Sequence, residues 1–129
     1  MNERHLLDEI SRRVREAVSF ADALESIRLL LEEEVGRAIL LVRFAKTAGS
    51  HLREKPVADL LESREFPVRS VYTSTFDAGG DRKAILIGCF GSWGAPGNTL
   101  ERATAHAARQ LSAFLARTNR EVFLDIEAA

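Results

Sequence analysis

The first stretch of the chain alternates apolar and polar positions with the period of an α-helix. Between residues 1 and 18 apolar side chains recur at steps of three and four, and the positions between them are mostly charged or polar. This spacing predicts an amphipathic helix whose apolar stripe packs on the rest of the fold. The stripe consists of Leu7, Ile10, Val14 and Ala17.

A second helix is predicted to follow directly. Asp22 is a suitable capping residue, with Glu25 three residues later as its partner in a capping box, and Gly36 is typical of a glycine that ends a helix. The apolar face of this helix consists of Leu24, Ile27, Leu30 and Leu31. Residues 57–63, after Pro56, are predicted to form a further short helix.

Three segments have the composition of β-strands. Residues 38–44 are a short continuous apolar run, which is typical of a strand buried on both faces. Residues 68–76 are rich in Val, Tyr, Thr and Phe, and residues 84–91 are again apolar, with a Gly-containing turn between the two segments. We therefore predict an antiparallel hairpin. Within it, Gly88 marks a bulge or a close approach of the backbone.

A long amphipathic helix is predicted after the hairpin. Asn98 or Thr99 is suited to cap it, and its helical character is expected to continue to Ile126. Its apolar stripe consists of Leu100, Ala103, Ala107, Leu111, Phe114 and Leu115. The order of elements predicts an α+β fold, in which N-terminal and C-terminal helices pack on one face of a small antiparallel sheet.

Composition places the chain among ordinary globular domains. The 129 residues are 46% hydrophobic and 29% charged, with a formal net charge of −1, which favours a single folded domain and disfavours a nucleic-acid-binding surface. We expect a helical part over 1–36, a sheet with loops over 37–97 and the last helix over 98–127. No apolar run approaches the ~20 residues of a membrane span. Residues 1–8 lack a signal-peptide core, so we expect a cytoplasmic protein.

The hairpin and the last helix carry a further pattern. Residues 66–72 read FPVRSVY, residues 84–88 are apolar and end in glycine, and residues 103–115 are rich in alanine. This arrangement resembles the second half of a GAF domain, in which an Arg-Ser step enters one strand before a Gly-containing hairpin, an apolar strand and an alanine-rich helix. The opening helix pair and residues 38–44 resemble the start of the same family.

The resemblance implies a function and a restriction. GAF domains are sensory and regulatory modules, and their terminal helices commonly form dimers and carry signals to neighbouring domains. Typical members have a second strand and longer helical insertions before the Arg-Ser step, and these wall the ligand pocket. Here only residues 45–65 are available for that region. The resemblance therefore implies an abridged domain with a reduced ligand side and no defined cofactor.

Any small-molecule site is expected between the sheet and the segment at 57–66. Arg69 is suited to anchor a carboxylate or phosphate, because its guanidinium can donate two parallel hydrogen bonds. Side chains alternate along a strand, so Tyr72 and Ser74 share one face. The predicted ligand-binding residues are Arg69, Tyr72, Ser74, Cys89 and Trp93. The alternative interpretation of this set is an apolar core with a half-exposed tyrosine and tryptophan.

The first and last helices are predicted to form a dimer interface. Both have long apolar stripes, and only one small sheet is available to cover them. A two-fold four-helix bundle would bury the remaining apolar positions. The predicted interface residues are Leu7, Ile10, Val14, Leu111 and Phe114. The alternative is that both stripes are covered within the monomer.

No motif indicates catalysis or metal binding. Cys89 is the only cysteine, so it has no disulfide partner within the chain and is best interpreted as a small buried hydrophobe. His5, His51 and His106 lack metal-ligand spacing, and no Ser-His-Asp pattern is readable. We expect a non-enzymatic regulatory module without cofactor or metal, which dimerises and signals to a partner or an attached effector domain. The alternatives are a small-molecule sensor with an intact pocket and a scaffold protein of the roadblock or longin type.

Overall fold

The computed structural model of the chain describes residues 2–45, 67–79, 82–91 and 98–118. Within them the chain forms two helices, three strands and a last helix. In chain order these are α1 (Glu3–Glu16), α2 (Phe20–Glu34), β1 (Ala38–Ala45), β2 (Ser70–Asp77), β3 (Lys83–Phe90) and α3 (Thr99–Arg117).

Helix α1 has the amphipathic character that its spacing predicts. Its N-cap is Asn2, whose side-chain oxygen accepts a hydrogen bond from the backbone N–H of His5 at 2.8 Å. The fully buried residues are Leu6, Ile10 and Val14, whereas the predicted stripe residues Leu7 and Ala17 are only partly buried. The buried stripe is therefore rotated slightly from the predicted one, so that Leu6 takes the place expected for Leu7.

Helix α2 begins earlier than predicted, because its capping pair is Ser19 and Asp22 and not Asp22 and Glu25. The Ser19 hydroxyl accepts from the backbone N–H of Asp22 at 3.0 Å, and the Asp22 carboxylate accepts from that of Val18 at 3.1 Å. Asp22 is thus the acidic partner in the box and not the cap, and Glu25 has no part in it. The predicted end is confirmed, since Gly36 has a φ of +123° and its N–H bonds to the Leu31 carbonyl.

The three strands form one antiparallel sheet in the order β1-β3-β2. β3 lies in the centre, with Ala38 of β1 opposite Phe90 at one end and Ala45 opposite Lys83 at the other. On its other side β3 pairs with β2, with Ser70 opposite Phe90. The predicted hairpin of β2 and β3 is confirmed.

All three helices pack on one face of this sheet. Helix α3 contacts β2 and β3, helix α2 contacts β1, and helix α1 lies against α2 and α3. A single core cluster joins the buried faces of the helices to side chains of the strands. The strand residues in this cluster are Ala38, Leu40, Phe76, Ala84, Leu86 and Phe90. The predicted α+β class, with a small antiparallel sheet and helices on one face, is confirmed.

The opposite face of the sheet is apolar too. Ile85, Ile87 and Cys89 are each 0% exposed and form a second cluster, with Ile39 and Val71 packed against them. Side chains alternate between the faces of a strand, so neighbouring residues of β3 enter different clusters. The prediction that β1 is buried on both faces holds in part, because Ile39 and Leu41 are only partly buried.

Gly88 marks a close approach and not a bulge. The register of β3 against both neighbours runs through it without interruption. A Cβ atom built at Gly88 would lie 2.9 Å from Cε2 and Cζ of Phe90. Phe90 is fully buried and its ring packs on that of Tyr72 with centroids 6.2 Å apart, so a side chain at position 88 would force a buried ring to shift.

Helix α3 starts where the sequence predicts, although it is not capped as predicted. Asn98 occupies the N-cap position with a φ of +63°, and its side chain makes no capping hydrogen bond. The Thr99 hydroxyl donates to the Glu3 carboxylate at 3.0 Å. The last helix does not continue to Ile126 as predicted but ends at Arg117, because Thr118 is extended. The predicted helix at 57–63 and residues 119–126 lie outside the described residues, and the division into one domain stays a prediction.

We expect Ser19→Ala to destabilise the protein by about 1 kcal/mol, because it removes the acceptor of the N-terminal capping bond of α2. Chemical denaturation measures the loss. Ser26→Ala, inside the same helix, is the matched control and should change stability little, since alanine is the better helix former. Equal losses in the two variants would contradict the role of the capping box.

We expect Gly88→Ala to destabilise the protein by roughly 1–3 kcal/mol, because the added methyl group overlaps the buried ring of Phe90. Denaturation of Gly88→Ala, Phe90→Leu and the double variant forms a thermodynamic cycle. The double variant should lose less than the sum of the single losses, since leucine removes the clashing atoms. Additive losses would show that the two positions do not interact.

Candidate functional site

The predicted ligand-binding residues do not come together in one pocket. Tyr72 packs with the helix-side core, and Ser74 follows it on the same face of β2. Cys89 belongs to the cluster on the opposite face. Since a three-stranded sheet separates these side chains, Cys89 cannot line a cavity with Tyr72 and Ser74. The sequence correctly predicts which residues of one strand share a face. It does not show how β2 and β3 are aligned, and that alignment decides which faces of the two strands coincide.

Of the other two predicted ligand residues, Arg69 lies at one end of the sheet and Trp93 belongs to a part of the chain that the structure does not describe. Arg69 is exposed just before β2, and its backbone N–H donates to the carbonyl oxygen of Phe90 at 2.9 Å. Its side chain therefore projects at the end of β2 and away from the core. Trp93 lies outside the described residues.

Cys89 has the properties of a core residue. It is 0% exposed, and burial raises the pKa of its thiol. A raised pKa disfavours the thiolate, which is the reactive form of cysteine. The interpretation of Cys89 as a small buried hydrophobe agrees with this geometry.

Four of the five predicted dimer residues are buried inside the single chain. Ile10, Val14 and Leu111 are each 0% exposed and Phe114 is 3% exposed, while Leu7 is partly buried. These side chains form the contact between α1, α2, α3 and the sheet, so they are not available to a second copy. The prediction is corrected because α1 and α3 cover each other, so these two stripes are buried within the chain.

A polar contact crosses the α1–α3 interface. Ser11 Oγ lies 2.7 Å from His106 Nε2, although the two residues are 95 positions apart, and the hydroxyl also lies 3.2 Å from the Leu7 carbonyl. Sequence reasoning missed this pair, because no spacing connects residues so distant. The sequence does show that each residue lies beside a predicted apolar stripe, which is where a contact between two helices is expected.

The surroundings of His106 favour its neutral form. Burial lowers the pKa of His106 below its ordinary value of 6.5, and the positive charge of Arg109 lowers it further. A hydrogen bond to the Leu7 carbonyl and the charge of Asp8 oppose these effects. The neutral ring can accept a hydrogen bond from the Ser11 hydroxyl. If the ring is protonated, it donates instead, and Ser11 can turn its hydroxyl hydrogen to the Leu7 carbonyl.

The Ser11–His106 pair has the distance of a hydroxyl nucleophile and its base, but no carboxylate among the described residues is hydrogen-bonded to the ring. Asp8 acts on His106 through its charge, whereas a catalytic triad requires a third group that is hydrogen-bonded to the ring. The pair lies between two packed helices, and neither residue lines the cavity described below. Its geometry suits alignment of the helices.

A second polar group joins the beginnings of α1 and α3. The carboxylate of Glu3 accepts from Arg102 Nε at 2.8 Å and from the Thr99 hydroxyl at 3.0 Å, and it also pairs with the terminal guanidinium nitrogen of Arg102. The hydrogen bond with Arg102 lowers the pKa of Glu3. Together with Ser11 and His106, these residues fix how α1 is positioned along α3.

A charged cavity of about 300 Å³ lies at the junction of α1 and α2. Its residues are Arg12, Arg13, Glu16, Ala17, Asp22 and Ser26. Both arginines are already engaged, because Arg12 pairs with Glu9 and Glu16, and Arg13 donates to the Ser26 carbonyl at 3.2 Å and lies 3.5 Å from Glu9. Since the charges neutralise one another, the cavity lacks the excess of positive charge that an anion site needs.

Within the part of the chain that the structure describes, no cluster of three or more His, Cys, Asp or Glu residues is arranged to hold a metal ion. None of the helices described there combines the length and apolar character that crossing a bilayer requires. Comparison of the chain with protein-family models, with curated protein sequences and with solved structures gives no match.

We expect the stability of the protein to fall as the pH decreases from 7 through 6.5 and below. Because the folded state lowers the pKa of His106, the unfolded chain binds the proton more readily, and stability present above 6.5 is lost on the way to the folded value. Denaturation at a series of pH values measures this loss. His106→Gln should reduce it.

His5→Gln is the matched control, because His5 is exposed on α1, and it should keep the pH dependence of the wild type. The pKa values of Glu3 and Glu9 are lowered from 4.5, so losses from those carboxylates occur at more acidic pH. An unchanged slope in His106→Gln would show that His106 does not carry this dependence.

Proposed function

We propose that the chain is a non-enzymatic regulatory module of GAF-like character, whose output is the alignment of helix α1 against helix α3. In this proposal an event at the sheet, either binding of a small molecule or contact with a partner, changes how the two helices pack. A partner protein or an attached effector domain then reads the change. The module acts in the cytoplasm and needs no cofactor.

The observation that carries the proposal is the position of α3, which contacts the sheet and α1 at once. It lies on β2 and β3 on one side and against α1 and α2 on the other. It is also tied to the end of β2, because the Ser112 hydroxyl donates to the Asp77 carbonyl at 2.6 Å. A displacement of β2 therefore reaches α1 through one rigid element.

The polar contacts between the helices support an adjustable alignment. Apolar contacts such as those of Ile10 and Leu111 are non-directional, so they do not specify one position of α1 along α3. The hydrogen bonds of Glu3 with Arg102 and of Ser11 with His106 form at one position only. Exposed ion pairs contribute little to stability. A second alignment that breaks them would therefore lie close in free energy to the first, as a regulatory element requires.

The GAF resemblance supports the proposal through the Arg69-Ser70 step and the alanine-rich helix. The alternative sensor with Tyr72, Ser74, Cys89 and Trp93 around one pocket loses its support, because the sheet separates Cys89 from Tyr72 and Ser74. The alternative of a roadblock- or longin-like scaffold protein, which pairs sheets edge to edge, stays a prediction.

The proposal predicts slow exchange between two helix alignments. Measurement of ¹⁵N relaxation dispersion should detect a minor state in α1 and α3, with β3 unaffected. The double variant Glu3→Gln/Arg102→Gln should raise the population of this state roughly twofold or more, because it removes the bond that holds the first alignment.

Glu25→Gln/Arg28→Gln is the matched control. It removes a comparable ion pair, with Arg28 Nε 2.9 Å from Glu25, but this pair lies within α2 and joins no two helices. It should leave the dispersion unchanged. Flat dispersion profiles throughout α1 and α3 in both the wild type and the Glu3/Arg102 variant would overturn the proposal.

A further inference from the structure

The backbone of β2 alternates between groups that bond to β3 and groups that point away from it. The N–H of Ala78 donates to the Arg82 carbonyl at 3.1 Å, and the carbonyl of Phe90 at the other end of β3 accepts from Arg69, just before β2, at 2.9 Å, so the even-numbered residues of β3 bond to β2. Hydrogen-bonded pairs occur at every second position of an antiparallel ladder. With the observed register, Ser70, Tyr72, Ser74 and Phe76 therefore bond to β3. The backbone groups of Val71, Thr73 and Thr75 point to the outer edge.

The open part of this edge is short and has defined ends. Among the residues that the structure describes, no strand pairs with β2 on its outer side. At one end the N–H of Arg69 is occupied by the Phe90 carbonyl, and at the other the carbonyl of Asp77 accepts from Ser112. Open backbone groups thus run from Val71 to Thr75, with Thr73 in the middle. The side chains of Thr73 and Thr75 are exposed.

An open strand edge is a template for pairing with another strand. This edge is complementary to itself, because an antiparallel copy centred on Thr73 places Val71 of one chain opposite Thr75 of the other. The same register brings Arg69, which lies just before β2, near Asp77 of the other copy at both ends. β-Branched pairs and opposite charges across strands are both favourable.

The two charges are placed for such a contact. The side chains of Arg69 and Asp77 are both exposed. Lys83 bonds to Oδ1 of Asp77 within the chain, and a carboxylate has acceptor sites on both oxygens. The arginine of a second copy would add a cation on the other side of this carboxylate and form a small charge network.

The other edge of the sheet lacks this complementarity. β1 contains one charged residue, Arg43, and no acidic residue. Antiparallel pairing of β1 with its own copy would therefore bring positive charges together or leave them without a counter-charge. The charge pattern favours β2 as the edge at which two copies meet.

We propose that two copies of this chain pair through the outer edges of β2, antiparallel and centred on Thr73, so that their sheets join into one continuous sheet. The occupant of the edge is a second copy, because the register is self-complementary in charge. The inference rests on the proposed regulatory function and assigns a surface to the dimer in place of the helix stripes that the core already uses. Edge-to-edge pairing is also the mode of association of the alternative scaffold protein of the roadblock or longin type.

The first test measures the dimer by native mass spectrometry and sedimentation over a concentration series. The wild type should give a species of twice the 14.3 kDa chain mass. Arg69→Glu should weaken the dimer by about tenfold or more, since it replaces attraction by repulsion at both ends of the pairing. Arg15→Glu is the control, with the same charge change at an exposed position of α1, and should leave the affinity unchanged.

A charge exchange completes the test. Asp77→Lys/Lys83→Asp keeps the pair within the chain but reverses its polarity, so it should weaken the dimer. The triple variant Arg69→Glu/Asp77→Lys/Lys83→Asp restores opposite charges and should recover the affinity. Loss without recovery in a triple variant that retains the wild-type circular dichroism spectrum would overturn the proposed register.

Amide hydrogen exchange of the wild type gives a test that needs no variant. The amides of Val71, Thr73 and Thr75 should be protected at concentrations where the dimer forms and should exchange rapidly on dilution. Those of Tyr72 and Ser74 should be protected throughout. A wild type that is monomeric up to about 100 μM, or a dimer in which these three amides stay unprotected, would overturn the inference.

The two proposals can fail separately. Relaxation dispersion of α1 and α3 in the Arg69→Glu variant examines the helix alignment without the dimer. Exchange in the helices together with a monomeric wild type would overturn edge pairing alone. A β2-paired dimer with rigid helices would overturn the helix readout alone.

Discussion

The structure depends on the burial of one strand on both of its faces. β3 is the centre of the sheet, and its residues from Ala84 to Phe90 are buried. Ala84, Leu86 and Phe90 lie on the helix side, and Ile85, Ile87 and Cys89 lie on the other. A strand with so little polar surface is stable only when layers cover both faces and strands pair with both edges. β1 and β2 supply the edges, and the three helices supply one of the covering layers.

The helix layer shows how a small domain uses its apolar residues. The stripes of α1 and α3 would be available for a dimer if each helix covered only the sheet. Instead α1 packs mainly on α2 and α3, so Ile10 and Leu111 are both buried within the chain. Large exposed apolar side chains are few in the described residues, with Val18 at 90% and Leu29 at 44% exposed. The outer surface of the helices is therefore mostly charged.

Local sequence patterns predicted most of the helices and strands, but they could not predict contacts between residues that are distant in the sequence. Periodicity and glycine chemistry located the described helices and strands to within a few residues, apart from the end of α3, which lies at Arg117 and not near Ile126. Gly36 ends α2 for the expected reason. The cap of α2 was misplaced, because Ser19 and Asp22 both suit that role and only the path of the chain decides between them. Cys89 and Tyr72 lie near one another in the hairpin. Whether their side chains share a face of the sheet depends on the register of β2 against β3, which cannot be read from a single sequence. The Ser11–His106 contact depends on helix packing across the whole chain.

The strand order also determines how the chain can fold. β1 and β2 do not pair with each other, and both ladders are made with β3. Among the described strands, β1 consequently has no partner until the residues of β3 are available, and α1 reaches its contacts with α3 later still. During synthesis the N-terminal third of the chain can therefore make the contacts of α2 with α1 and β1 as it emerges, but β3 and α3 are not yet available to cover the rest of its apolar faces. Folding of this kind is dominated by contacts distant in sequence, which slows it and favours a single cooperative step late in synthesis over gradual assembly from the N-terminus.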